Sequence, residues 1–237
     1  MSAPTPVARG VVSVVAGSTA AALLAWGAWY GYAELISQPI ARVVFAGAPD
    51  RLDPADLVKL EQGLLATPSA SIEAIRVAAR QVPWVREATV RRRFPDAVEI
   101  TFTVHEAFAR WNDGQLVGAA GEVFTAAGAG ALPQLRGPEG SAALVVHGYQ
   151  AAIAALGPIG SAVKELRLSP RGAWHATLDS GLGIALGRGD WRARAERFAA
   201  AWPKLAPEAR AADYADLRYP NGFALKRVAS PTLPPAR

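Results

Sequence analysis

The sequence predicts an α+β protein: a single N-terminal transmembrane helix, a small β-α-α-β-β module, then a β domain with a mostly antiparallel sheet and packed helices. Three observations predict it. No charged residue interrupts the stretch from Gly10 to Ala33. Between residues 41 and 104, two runs of helical apolar spacing are flanked by strand patterns, the last of them strictly alternating. Beyond Phe108 the chain becomes a series of short strand patterns broken by Gly, Pro and Asp, with two further helical patterns among them.

Composition bounds the chemistry. The chain has 237 residues, 51% of them hydrophobic, which is room for one large domain or two small ones at roughly 100–200 residues each. It has no cysteine, which excludes disulfide frameworks, thiolate nucleophiles and Cys-ligated zinc or iron–sulfur clusters. His105, His147 and His175 are its 3 histidines, too dispersed to read as a metal site. The net charge of +5 is a mild excess, most simply a solvated surface.

The uncharged stretch would measure roughly 36 Å as a helix, enough for a bilayer core of about 30 Å. Trp26, Trp29, Tyr30 and Tyr32 gather at one end, where amphipathic rings suit the headgroup boundary. A cleaved signal peptide competes, with Gly31-Tyr32-Ala33 as its small-x-small site, but its apolar part spans only about 7–15 residues. Bulky aromatics also crowd that site. Arg9 and the α-amino group weigh against Glu34 and Arg42 to favour an inward N-terminus. The expectation is therefore a cytoplasmic tail over 1–9, a membrane helix over 10–36, and everything else outside. Gly27 and Gly31 have GxxxG spacing, which a Gly/Ala-rich segment also produces by chance.

Ala41 to Phe45 reads as a strand and Gly47 to Asp50 as a turn. Asp53 is an N-cap, Pro54 takes the first helical position, and Leu57, Leu60 and Leu64 follow at helical spacing. A second helix starts near Ser69 or Ser71, carries Ile72, Ile75 and Ala79 on one face, and stops before Pro83. Val85 to Phe94 and Val98 to Val104 are strands around a turn at Pro95-Asp96. Arg91-Arg92-Arg93 is the one basic run; in a strand its members point to alternate faces, with one Arg pairing across to Glu99. Nucleic-acid binding is not expected of it.

In the second domain Ser141 is the expected cap of a helix carrying Val145, Tyr149, Ala152, Ile153 and Leu156, ended by Gly157-Pro158. Strands follow at Leu166–Leu168, Trp174–Leu178 and Leu182–Leu186, with turns at Pro170-Arg171-Gly172 and Asp179-Ser180-Gly181. Asp190 caps a helix with Trp191, Ala195, Phe198 and Trp202 on one stripe. Tyr214 to Tyr219, a turn at Pro220-Asn221-Gly222 and a strand from Phe223 to about Arg227 close the domain. The proline-rich segment 229–237 reads as a disordered tail. The last strand is expected to leave one side unpaired, a template for another chain's strand, with Lys226 and Arg227 discouraging indiscriminate pairing.

No G-x-S-x-G, P-loop or H-E-x-x-H pattern occurs. Gly187-Arg188-Gly189 reads as a turn, and nothing recommends an acid pair such as Glu106 with Asp113. The chain is expected not to be an enzyme, with no catalytic residues, cofactor, metal or small-molecule substrate.

Val82-Pro83-Trp84-Val85, then Ala88-x-Val90-x-Arg92-x-Phe94-Pro95-Asp96, resembles the end of a POTRA domain in the FtsQ (DivIB) family of bacterial cell-division proteins. Ala109-Arg110-Trp111-Asn112, Gly121-Glu122-Val123-Phe124, Gly137-Pro138-Glu139-Gly140-Ser141, Leu186-Gly187-Arg188-Gly189-Asp190 and Asp216-Leu217-Arg218-Tyr219 follow in that family's order, closest to its proteobacterial branch. The resemblance implies a POTRA domain at 37–107 and a β domain at 108–228, in a single-pass type II protein of the inner membrane whose domains lie in the periplasm at the septum. It implies a divisome scaffold whose C-terminal edge receives a strand of FtsB, itself paired with FtsL, and whose POTRA domain recruits other division proteins. Carried over by motif, Arg171, Arg218, Tyr219, Asn221 and Gly222 belong to that edge, with Phe223 beside them. Arg171 and Arg218 would pair with partner carboxylates, and Tyr219 and Phe223 would give apolar contact; the plainer alternative makes Tyr219 core. Close relatives tend to carry an aromatic late in the last strand, where this chain has Lys226-Arg227-Val228. The rival functions are a POTRA-bearing chaperone or transport component for outer-membrane proteins and a secreted hydrolase with a mature N-terminus near Glu34.

Overall fold

The computed structural model describes residues 23–31, 39–47 and 50–227. The expected tail 1–9, most of the expected membrane helix and the tail from 229 lie outside them. Residues 23–31 are helical and exposed throughout, including Leu24, Trp26, Trp29 and Tyr30. The chain divides into two units, one up to Val104 and one from His105.

The first unit runs β1 (Arg42–Ala46), α1 (Pro54–Leu65), α2 (Ile72–Ala79), β2 (Val85–Arg93) and β3 (Ala97–Val104). Its sheet has the order β1-β3-β2, with β1 parallel and β2 antiparallel to the central β3. Asp53 caps where the sequence puts it, and of the two candidate serines it is Ser71 that caps the second helix. The Asp53 carboxylate accepts the Ala55 N–H at 2.8 Å, and Ser71 Oγ accepts the Ala74 N–H at 3.1 Å. Asp53→Ala should therefore cost about 1 kcal/mol in chemical denaturation, and Asp53→Asn much less.

Register sorts the two faces of this sheet. Val43, Val98, Ile100, Phe102 and Val90 lie on the buried face, closed by Leu60, Leu64 and Ile75 from the helices. Ile72, expected on the apolar helix face, is 39% exposed. Arg42, Ala97 and Arg93 form one row on the opposite face, and Val44, Glu99 and Arg91 the next. The basic run does alternate, with Arg92 turned to the other side. Because β1 adds Arg42 in register, however, three arginines share the open face, a patch the run alone does not reveal. Arg93 Nε donates to Glu99 Oε2 at 2.6 Å, the cross-strand pair the alternation implied.

The second unit runs β4 (Ala109–Trp111), β5 (Gln115–Val117), β6 (Val123–Phe124), β7 (Gln134–Arg136), α3 (Ala142–Leu156), β8 (Val163–Leu168), β9 (Trp174–Leu178), β10 (Gly183–Gly187), α4 (Trp191–Ala201), α5 (Pro207–Arg210), β11 (Tyr214–Asp216) and β12 (Ala224–Lys226). The nine strands are ordered β12-β11-β10-β9-β8-β7-β4-β5-β6. Five pairings are antiparallel; β4–β7, β7–β8 and β10–β11 are parallel. The β7-to-β8 crossover carries α3 and the β10-to-β11 crossover carries α4, as parallel neighbours require. One register row, Leu135–Leu166–Ala176–Ile184–Ala215, is buried along its length and joins Val145, Leu156 and Phe198 in the core. The next row, Arg136–Arg167–His175–Ala185–Asp216, is polar except at Ala185.

Ser141 differs from expectation. Its Oγ donates to the Pro138 carbonyl at 2.6 Å and caps no helical N–H. Ile153, named in the apolar pattern of α3, is 47% exposed. The segment Ala142–Ile159 is long and apolar enough to cross a membrane by length and composition alone. With Val145, Ala152 and Leu156 at 0% exposure it is the core helix of this domain.

Candidate functional site

The far edge of the second sheet is built by three short strands. β10 runs parallel to β11, pairing Ala185 with Asp216, and β11 runs antiparallel to β12, pairing Asp216 with Ala224 and Tyr214 with Lys226. The Leu217 N–H donates to the Ala185 carbonyl and the Asp213 N–H to that of Lys226, extending both ladders. β12 is last in the strand order, and among the described residues no strand pairs with its outer side.

Asp216 organises the loop into β12. Its Oδ1 accepts the backbone N–H of Arg218 at 3.0 Å and its carboxylate takes the guanidinium side-on, Nε to Oδ1 at 2.9 Å and Nη2 to Oδ2 at 2.6 Å. Sequence reasoning reserved Arg218 for a partner carboxylate; the chain's own Asp216 already holds one edge of it. Nη1 makes no bond to Asp216, so part of the fork stays available. Tyr219 is 54% exposed and not a core residue, which removes the plainer alternative. Asn221 and Gly222 are exposed at the turn, and a Cβ at Gly222 would meet nothing within 4 Å. Phe223 turns inward, its ring edge-on to Phe198 at 4.9 Å between centroids, and so ties the hairpin to the core. A cleft of about 130 Å³ between Arg197, Phe198, Leu217 and Gly222 opens beside it.

Arg171 is exposed in the β8–β9 turn, two strands from β11. It lies at the same end of the sheet. Trp174, at the start of β9, pairs with Gly187, where the β9–β10 register shifts. Gly187 has φ 78°, and a Cβ there would stand 3.1 Å from Arg218 Cγ. Its missing side chain lets Arg218 and Arg194 cross the strand end. Arg194 donates to the Leu186 carbonyl at 2.8 Å, a contact no sequence spacing suggests. The structure thus gathers Arg218 to Phe223 in one turn and sets Arg171 at the same rim.

Arg218's hydrogen bonds hold the Asp216 carboxyl below its ordinary 3.8, against the opposing effect of burial. Burial, then the positive charges of Arg167 and Arg218, push the His175 ring below its ordinary 6.5, partly offset by Asp216. A base with a lowered folded pKa contributes stability above its unfolded value and loses it as pH falls through the folded one; the lowered carboxyl loses its share only below 3.8. The melting temperature should therefore start to fall below about pH 6.5, and His175→Gln should flatten that first decline.

Among the described residues no group of three His, Cys, Asp or Glu side chains could hold a metal. Asp113 is paired with Arg136 at 2.7 Å.

A family model described as the FtsQ/DivIB C-terminal region matches residues 109–218, and one described as the FtsQ-type POTRA domain matches residues 38–103. The relative named cell division protein FtsQ in Escherichia coli K12 is 32% identical over 200 residues, 79% of this chain and 72% of the relative. The chain belongs to the FtsQ/DivIB cell-division family. The FtsQ of Xanthomonas campestris is 34% identical over 194 residues, covering 80% of this chain and 70% of its own. That of Burkholderia pseudomallei is 40% identical over 166 residues, covering 67% and 66%. The chain spans about two-thirds of the length of such FtsQ relatives. The C-terminal family match stops at Arg218, so Tyr219, Asn221, Gly222 and Phe223 lie just past it.

Proposed function

We propose that this FtsQ-family chain is a membrane-anchored scaffold of the division complex. In this reading, residues 10–36 hold it in the inner membrane and its two domains stand in the periplasm at the septum. The outer side of β12 receives an extended segment of FtsB, in complex with FtsL, and the POTRA domain recruits further division proteins. The observation that supports it is the terminal position of β12, open on one side among the described residues. Strand addition draws its attachment from main-chain hydrogen bonds and its selectivity from side chains beside the edge. Here those are exposed Tyr219, the exposed Arg171 and the remaining fork of Arg218.

Gly222 supplies the sharpest test. It has open space around it and no positive φ, so Gly222→Leu should leave the melting temperature nearly unchanged. By adding bulk just before β12, it should weaken binding of an FtsB periplasmic peptide to the detergent-solubilised full chain about tenfold or more, a cost typical of interface overpacking. Unaltered affinity would sink the edge as the binding site.

A further inference from the structure

We propose that the open face of the first domain's sheet, at the end carrying Phe94, rests on an anionic lipid surface and thereby orients that domain over the membrane. The inference rests on the anchor reading above. Three observations converge on it. Phe94, at the tip between β2 and β3, is 56% exposed, and Val44 beside it is 42% exposed. With Arg42 and Arg93 they line a shallow depression of about 560 Å³. Arg42, Arg91 and Arg93 share this face; against them stand Glu99, joined to Arg93, and Asp96, which lines the depression, so the arginines remain in excess. An exposed ring ringed by guanidinium groups matches a bilayer boundary, where apolar side chains enter the acyl region and cations meet headgroup phosphates.

Reach supplies the occupant. The helix of residues 23–31 carries Trp26, Trp29 and Tyr30 of the aromatic group expected at the headgroup level, and segment 32–41 spans at most about 35 Å fully extended. The start of β1 is fastened to this same tip, because the Ala41 and Arg42 N–H groups both donate to the Asp96 carbonyl, at 2.8 and 3.2 Å. The tether thus enters the domain beside Phe94. A lipid surface is present at high effective concentration there, which a diffusing partner is not.

The absence of native cysteine permits a clean probe. Ala41→Cys, at an exposed position, is labelled with an environment-sensitive fluorophore in the full chain and reconstituted into vesicles of phosphatidylcholine alone or with phosphatidylglycerol. Quenching by neutral acrylamide should be weaker in the anionic vesicles, and the difference should fade at high salt. Each arginine near an anionic surface favours the docked state about fivefold, so Arg42→Gln with Arg93→Gln should reduce docking about twenty-fivefold. Phe94→Ala, at an exposed site that should not disturb folding, should reduce it about tenfold. A second probe at Trp29→Cys separates the two ideas. If it is shielded while quenching at Ala41 is equal in both vesicles, docking is wrong and the anchor stands. If Trp29→Cys is itself freely quenched, the anchor reading fails and takes the docking with it.

Discussion

Gly121→Ala should destabilise the C-terminal domain by about 3 kcal/mol or more in chemical denaturation of the full chain. Two costs add. Gly121 has φ 91°, a conformation that an L side chain rarely adopts, and its Cβ would fall 2.4 Å from Ala143 Cα. That neighbour is the backbone of the first turn of α3, so it cannot rotate away. Gly128→Ala separates the costs: its φ is 79° but nothing lies within 4 Å, so it should lose only about 1 kcal/mol. Equal losses at the two positions would show that α3 yields and that the close approach is not rigid.

Tyr219→Ala should weaken FtsB-segment binding about thirtyfold, the effect of removing a central aromatic anchor, about 2 kcal/mol. The fold should not change, because the ring is more than half exposed. Phe223→Ala provides the contrast. Its ring packs on Phe198, so its loss should lower the melting temperature together with any change in binding. Tyr219→Ala that binds normally, measured by anisotropy with the folded domain verified by near-UV circular dichroism, would remove the side-chain half of the proposed recognition.

The parts of this architecture legible in the sequence are those governed by nearby residues. Asp53-Pro54 and Ser71 announce helix starts because a cap needs only the next three residues. The alternation through Val98, Ile100 and Phe102 announces a half-buried strand for the same reason. What eluded sequence reasoning depends on distant partners. The parallel pairing of β10 with β11 joins Ala185 to Asp216 across a helix, and the two- and three-residue strands β4 to β7 carry too few side chains to show a period. α3 carries apolar residues on its exposed side as well, Leu144 and Ile153 among them, so its pattern does not mark which side is buried. At the edge, motif resemblance selected Arg218, Tyr219 and Gly222. It did not reveal that Asp216, within the same motif, occupies one side of the arginine fork.

The parallel joint between β10 and β11 also bears on how the molecule comes into being. Strand β11 has three residues and reaches its neighbour only after segment 188–213 has been wound into α4 and α5 and laid over the sheet. Such a long excursion delays closure relative to the β8-β9-β10 meander, whose turns are local. The ribbon at the rim, made of two three-residue strands at the end of the sheet, should be among the first parts to fray, and amide exchange should be fast there. A visiting strand would turn β12 from a border into an interior row, so the same amides would slow sharply on complex formation.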